Sequence, residues 1–188
     1  MCPSGMAHSP PLKVIAMTAD EHVREVYAYF GLAVYCGQVL EHSIVNAMVV
    51  LRLPHKDRFT KGDFDAFMNQ QFEKTLGKLI KNLHAELSFP PDLEELLRKA
   101  LKTRNWLCHD YFRERAVEFM LPAGRDKMLV ELQEARELLS SAESSLTAII
   151  QPLADRCGMT EAVFQAEYRK LCREQGIAEP NAAADGGA

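Results

Sequence analysis

Apolar side chains recur every three or four positions through most of this chain, and nowhere do they alternate with period two over the length of a strand. The clearest stripe runs Val23, Val26, Phe30, Ala33, Val34, Gly37, Leu40, Ile44, Ala47, Met48, Leu51. It follows Thr18-Ala19-Asp20-Glu21, a capping box whose hydroxyl and carboxylate satisfy opening amides, and predicts a first helix from Thr18 to about Arg52. Pro54 to Thr60 reads as a loop. A second stripe (Phe64, Phe67, Met68, Phe72, Leu76, Leu79, Ile80, Leu83) predicts one helix from about Asp63 to Leu87. Phe89-Pro90-Pro91 breaks it, and Pro91 or Asp92 opens a third helix that runs to about Phe119. Pro122-Ala123-Gly124 reads as the next turn. Beyond it Met128, Leu132, Ala135, Leu139, Ala142, Leu146, Ile149 and Leu153 form a regular seam, fit to pack within a bundle or across a dimer. Cys157-Gly158 ends that fourth helix, Thr160-Glu161 restarts the chain, and a short fifth helix reaches about Gln175.

The expected fold class is all-α: an up-and-down four-helix bundle with an additional short C-terminal helix. Residues 18–175 form its single domain, residues 1–17 a flexible N-terminal segment, and residues 176–188 a disordered Ala/Gly/Asp tail. Gly31 and Gly37 each cost the first helix about 1 kcal/mol against Ala, so they predict a close helix crossing there.

Composition narrows the function classes. A formal net charge of −4 argues against nucleic acid wrapped by bulk positive charge and leaves room for a local basic stripe. The five cysteines form no C-x-x-C pair and no zinc-ligand spacing. Three of them (Cys36, Cys108, Cys172) fall in apolar patterns, as small hydrophobes do. Scattered thiols suit a reducing cytosol. No apolar run reaches the ~20 residues of a membrane span. Val39–Leu53 comes nearest and is interrupted by Glu41, His42, Asn46 and Arg52. The expectation is a cytoplasmic protein with no membrane attachment. There is no Gly-rich phosphate loop and no metal-ligand spacing among the histidines, so neither cofactor nor metal is expected.

Chemistry concentrates where the third helix breaks its own pattern. Its core stripe reads Leu93, Leu97, Ala100, Leu101, then Arg104, then Cys108 and Tyr111. An Arg on a core face must be paired or must line a cleft, because an isolated buried charge is prohibitively costly. Glu41, four after Gly37 on the first helix, is the matching anomaly. Either the two make a structural ion pair, or Glu41 orients Arg104 towards a substrate phosphate; the readings are compatible. Arg98, Lys102, Asn105, His109 and Arg113 fall at offsets of four, three, four and four, one polar stripe along the helix. Three cations, an amide and an imidazole can track phosphates, and the bland alternative is a solvated face.

An Arg followed five residues later by His is expected by chance about 0.4 times in such a composition, so the spacing gains weight only from its neighbours. Those are Asn105 directly after Arg104 and Tyr111 two after His109. With them the segment Arg104-Asn105-Trp106-Leu107-Cys108-His109-Asp110-Tyr111 resembles the signature of the HEPN superfamily, in the Arg-x4-His-x-Tyr form of HEPN toxins paired with nucleotidyltransferase antitoxins. The resemblance implies a homodimer with the motif at or near its interface and metal-independent RNA cleavage. Arg104 and His109 would be the essential pair and Asn105 their support; the cations of the polar stripe, Arg98, Lys102 and Arg113, are the substrate-binding candidates from their spacing and not from the resemblance. It also implies that Tyr111 is a modification target for a nucleotidyltransferase-type partner. The residue itself equally suits buried packing with its hydroxyl hydrogen-bonded. The competing function is a non-catalytic dimeric interaction module, or a bundle binding a nucleotide or phosphate through the same Arg and His.

Overall fold

The computed structural model describes residues 18–52 and 61–177, apart from the side chains of residues 61, 63–65 and 72. The expected N-terminal segment, the loop at 54–60 and all but the first two residues of the tail lie outside this set. Eight helices and no strand occur among the described residues: α1 (Ala19–Arg52), α2 (Lys61–Phe72), α3 (Leu76–Glu86), α4 (Pro91–His109), α5 (Tyr111–Glu114), α6 (Ala116–Met120), α7 (Pro122–Arg156) and α8 (Glu161–Glu174). The protein is all-α.

The opening of α1 is the capping box read from sequence. The Thr18 amide and hydroxyl donate to Glu21 Oε2 at 2.8 and 2.9 Å, and the Glu21 amide donates back to Thr18 Oγ1 at 3.2 Å. The Thr18 amide, then its hydroxyl, hold the Glu21 carboxyl below the usual range. Gln38, His42, Asn46 and the terminal Arg52 apart, α1 is more buried in its C-terminal half, where Ile44, Val45, Ala47, Met48, Val49 and Val50 are all buried. Length and composition alone would let this helix cross a membrane. Its near-continuous apolar run has another use here, because α3, α4 and α7 cover it from several sides.

Where one second helix was expected there are two. Thr75 adopts an extended backbone (φ −69°, ψ 153°), and its hydroxyl accepts the Lys78 amide at 3.4 Å, capping α3 after α2 has ended. That break changes the directions of everything downstream. Along the α1–α7 contact, His22 meets Asp126, Cys36 meets Ser140 and Ser43 meets Glu143, so the two longest helices run parallel. α4 is antiparallel to α1: Arg104 lies at Gly37, and Tyr111, beyond its end, at Phe30. α3 in turn is antiparallel to α4, with Gly77 against Leu101 and His84 near Glu94. α1, α3 and α7 therefore share one direction and α4 opposes them, instead of the simple alternation expected. One extra reversal, between α2 and α3, accounts for it.

The expected third helix is likewise divided, into α4, α5 and α6, with Asp110 and Arg115 at the joints. Pro122, expected in a turn, is instead the first residue of α7, where a missing amide costs nothing. Gly124 is obligatory there: a Cβ would stand 2.1 Å from the Glu118 carbonyl oxygen. The seam of α7 faces inward, with Met128, Leu132, Leu139, Ala142 and Leu146 fully buried against the rest of the core. Each large apolar side chain so placed contributes about 1.5–3 kcal/mol. Near its end the seam slips one position, from Ile149 and Leu153 to the better buried Ile150 and Ala154. Gly158, at φ +76°, then turns the chain towards α8.

Candidate functional site

The motif occupies the last turn and a half of α4 and the bend that follows, not the middle of a long helix. Arg104 is the innermost of its polar residues. The close crossing expected at Gly31 and Gly37 occurs at Gly37, where a Cβ would lie 3.2 Å from Arg104 Cγ; at Gly31 nothing lies within 4 Å. The stem of Arg104 thus passes over α1 at a position without a side chain. Its head meets Glu41 one turn further on, Nη2 to Oε1 at 2.6 Å, with both side chains about a quarter exposed. The contact is a charge pair without hydrogen-bond alignment, since Glu41 Oε1 is buried and accepts no aligned bond. Arg104 Nη1 also donates to Asn105 Oδ1, at 3.3 Å. Of the five donors a guanidinium carries, most stay uncommitted.

His109 is exposed and stands apart from this cluster. Five residues on a helix place it about 140° round the axis from Arg104, and no hydrogen bond joins the two within the chain. Asn105, one turn before His109, is exposed on the same line. So Arg104, Asn105 and Glu41 are brought together by the fold, and His109 is held beside them on the open face of α4. Of the three cations proposed to bind substrate, Arg98 is clasped by Glu95 through two bonds of 2.8 and 2.7 Å, and Arg113 pairs with Asp110. Lys102 alone is exposed with no ion pair among the described residues.

Tyr111 is 1% exposed and its hydroxyl donates to the Met128 carbonyl at 3.2 Å. It sits among Phe30, Trp106 and Phe112, with ring centroids 4.8–5.8 Å away. Burial pushes its phenol far above the ordinary value, the Glu131 charge adds to that, and Arg115 opposes it. This is the buried-packing reading of the residue: as a modification target it would first have to leave the core. Trp106 is an anchor as well, donating to Glu114 Oε2 at 2.8 Å and lying under the Arg115 guanidinium at 5.4 Å. Arg115 completes the knot with two bonds to Glu131, at 2.8 and 3.0 Å.

Some residues of this region were not legible in advance. Leu107, not Cys108, continues the core stripe after Arg104; Cys108 is exposed, contrary to its expected apolar setting. Both residues precede the bend at Asp110: Leu107 keeps the three-and-four spacing after Ala100 and Arg104, and the bend then ends the helical register before Tyr111. Arg125 is buried, and its Nη1 donates to the Phe119 carbonyl at 2.9 Å, serving the end of α6. Nothing in the spacing marked it. Among the described residues no three His, Cys, Asp or Glu side chains converge as metal ligands would.

Compared with protein-family models, with curated proteins and with solved structures, the chain finds no match.

Proposed function

We propose that this chain is a HEPN-like endoribonuclease of the toxin or defence type, cytoplasmic and dimeric, cleaving RNA by metal-independent transesterification. The observation that carries this reading is the state of Arg104. It is partly exposed, held in place by Glu41 and Gly37, and left with donors that nothing among the described residues uses. A guanidinium so placed suits a phosphate, which it can grip bidentately as charge builds on the phosphorane. The exposed imidazole of His109 is the group that would take or give a proton.

One imidazole cannot be both acid and base in a single step, and a two-fold dimer would supply two. In this scheme one His109 takes the 2′-hydroxyl proton as that oxygen attacks phosphorus. The partner's His109 delivers a proton to the departing 5′-oxygen. Asn105 steadies His109 or a non-bridging oxygen, and Lys102 lends charge to the neighbouring phosphate. The products are a 2′,3′-cyclic phosphate and a 5′-hydroxyl. A nucleotidyltransferase-type partner acting on Tyr111 would need the phenol to leave the Met128 carbonyl by local opening of the α4–α5 bend.

The test is the chemistry of the ends. A mixed pool of structured and single-stranded RNA, incubated with the protein in EDTA, is expected to yield cyclic-phosphate termini, and Arg104→Ala to yield none. A second reading, a non-catalytic helical module, draws on the Glu41–Arg104 pair bridging α1 and α4. Intact RNA together with an Arg104→Ala protein of sharply reduced stability would favour it.

A further inference from the structure

On the outer surface of α1, Arg24, Tyr27, Gly31, Tyr35 and Gln38 follow one another at offsets of three, four, four and three, which places them on one line along the helix. All five are exposed, the two tyrosines at 53% and 60%. The line runs beside the Arg104 cluster: Gln38 follows Gly37, and Glu41, which holds Arg104, lies one turn beyond it. Its other end is anchored where Tyr27 meets Phe112 and Phe119, at centroid distances of 5.6 and 5.5 Å. Between the tyrosines Gly31 leaves open space, with no atom within 4 Å of where a Cβ would be.

Two exposed aromatic rings in a protein of net charge −4 invite the bland account of stray surface apolars. Three features argue otherwise. The rings stand two helical turns, about 12 Å, apart with a side-chain-free gap between them, a spacing that admits a base. Between Asp20, four residues before Arg24, and Glu41, three after Gln38, the line carries no carboxylate, and Arg24 and Gln38 end that stretch with donors. Arg24 has no ion pair among the described residues. Two exposed tyrosines on a stretch that ends in Arg24 and Gln38, next to an under-used guanidinium, present flat rings and donors to a polyanion carrying flat rings.

We infer that this line is the base-binding track for a single strand of RNA whose scissile phosphate lies at Arg104 and His109. The inference rests on the ribonuclease reading above. Tyr27 and Tyr35 stack successive bases, a base or the sugar–phosphate chain crosses Gly31, and Arg24 meets a phosphate away from the site of cleavage. Stacking on tyrosine is tolerant of sequence, so the track selects single strands over duplexes and not one base over another.

The test measures binding of a short 2′-O-methyl oligoribonucleotide, whose blocked 2′-oxygen cannot attack, by fluorescence anisotropy. Tyr35→Ala is expected to weaken binding roughly tenfold and Tyr35→Phe to leave it within about twofold. Gly31→Leu keeps the test independent of folding. It fills open space on a helix and removes a helix-weakening glycine, so the protein should melt no earlier while binding falls roughly fivefold or more. Unchanged affinity in Tyr35→Ala and Gly31→Leu, with the wild type still cleaving RNA, overturns the track and leaves the ribonuclease reading standing. A wild type that neither binds nor cleaves RNA removes both. Sedimentation of the same variants covers the remaining outcome. If they turn a dimer into monomers without weakening RNA binding, the line is a contact between copies and the inference falls.

Discussion

Helix α1 meets its two long neighbours in very different ways. Towards α7 it offers an apolar seam edged by the polar pairs His22–Asp126 and Ser43–Glu143: Ala33, Leu40, Ile44 and Ala47 are all fully buried, and so are Met128, Leu132, Leu139 and Leu146. Towards α4, at the level of Gly37, it offers a gap and a carboxylate, and what crosses them is an arginine. A charge pair at that crossing adds little to stability that a well-packed methionine or leucine could not match. The first contact is thus explained by the fold alone, whereas the second leaves its polarity to be explained. On the ribonuclease reading proposed above, function lies on the α4 side of α1, and substitutions on the two sides should behave differently.

The largest effect on stability should come from the apolar seam. Leu146→Ala is expected to cost about 2–5 kcal/mol in denaturant unfolding, with cleavage per folded molecule unchanged. A loss of cleavage beyond the loss of folded protein would blur the comparison. Next comes Glu41→Ala, which leaves a partly buried guanidinium without its countercharge. About 1–3 kcal/mol is expected, less than for a fully buried pair because both partners are about a quarter exposed. The double change Glu41→Leu with Arg104→Met should recover most of that stability and no cleavage, and a double variant that cleaves RNA would place the chemistry elsewhere.

Gly37→Ala sharpens the same point at smaller scale. Helix propensity gains up to about 1 kcal/mol, and the new Cβ must push Arg104 Cγ outward from 3.2 Å. The melting temperature should move little while cleavage drops, since misplacing a positioned group is costly to rate. Tyr111→Phe is the mildest, about 0.5–1.5 kcal/mol for the bond to the Met128 carbonyl. It also changes the pH dependence. The folded phenol is shifted upward, so the stability it gives is full below its unfolded value of about 10 and is lost as pH rises above that. An unfolding midpoint that declines above pH 10 in the wild type should decline less in Tyr111→Phe.

Much of this organisation was readable from residue order. The apolar stripe of α1, its capping box, the inward seam of α7 and the pairing of Glu41 with Arg104 all follow from three-and-four periodicity and from the cost of a charge on a core face. What periodicity could not supply were the interruptions. Thr75 carried a usable capping signal ahead of Leu76-Gly77, but the apolar spacing across it stayed in register and hid the break. Asp110 gave no such warning. Its bend follows from where the aromatic knot of Phe30, Trp106, Tyr111 and Phe112 settles, a tertiary outcome that overrides local preference. The missed reversal between α2 and α3 then propagated into helix direction, which a pattern of buried positions does not encode.

The most direct test of the ribonuclease account is single-turnover cleavage of RNA in EDTA by wild type and His109→Ala. The His109 side chain is exposed and has no hydrogen bond among the described residues, so the variant should melt within about 0.5 kcal/mol of wild type. The account predicts a fall in rate of about 10²-fold or more at that matched stability. Equal rates in the two proteins would contradict it, and would reduce the Arg104–Glu41 pair to a polar clasp between α1 and α4.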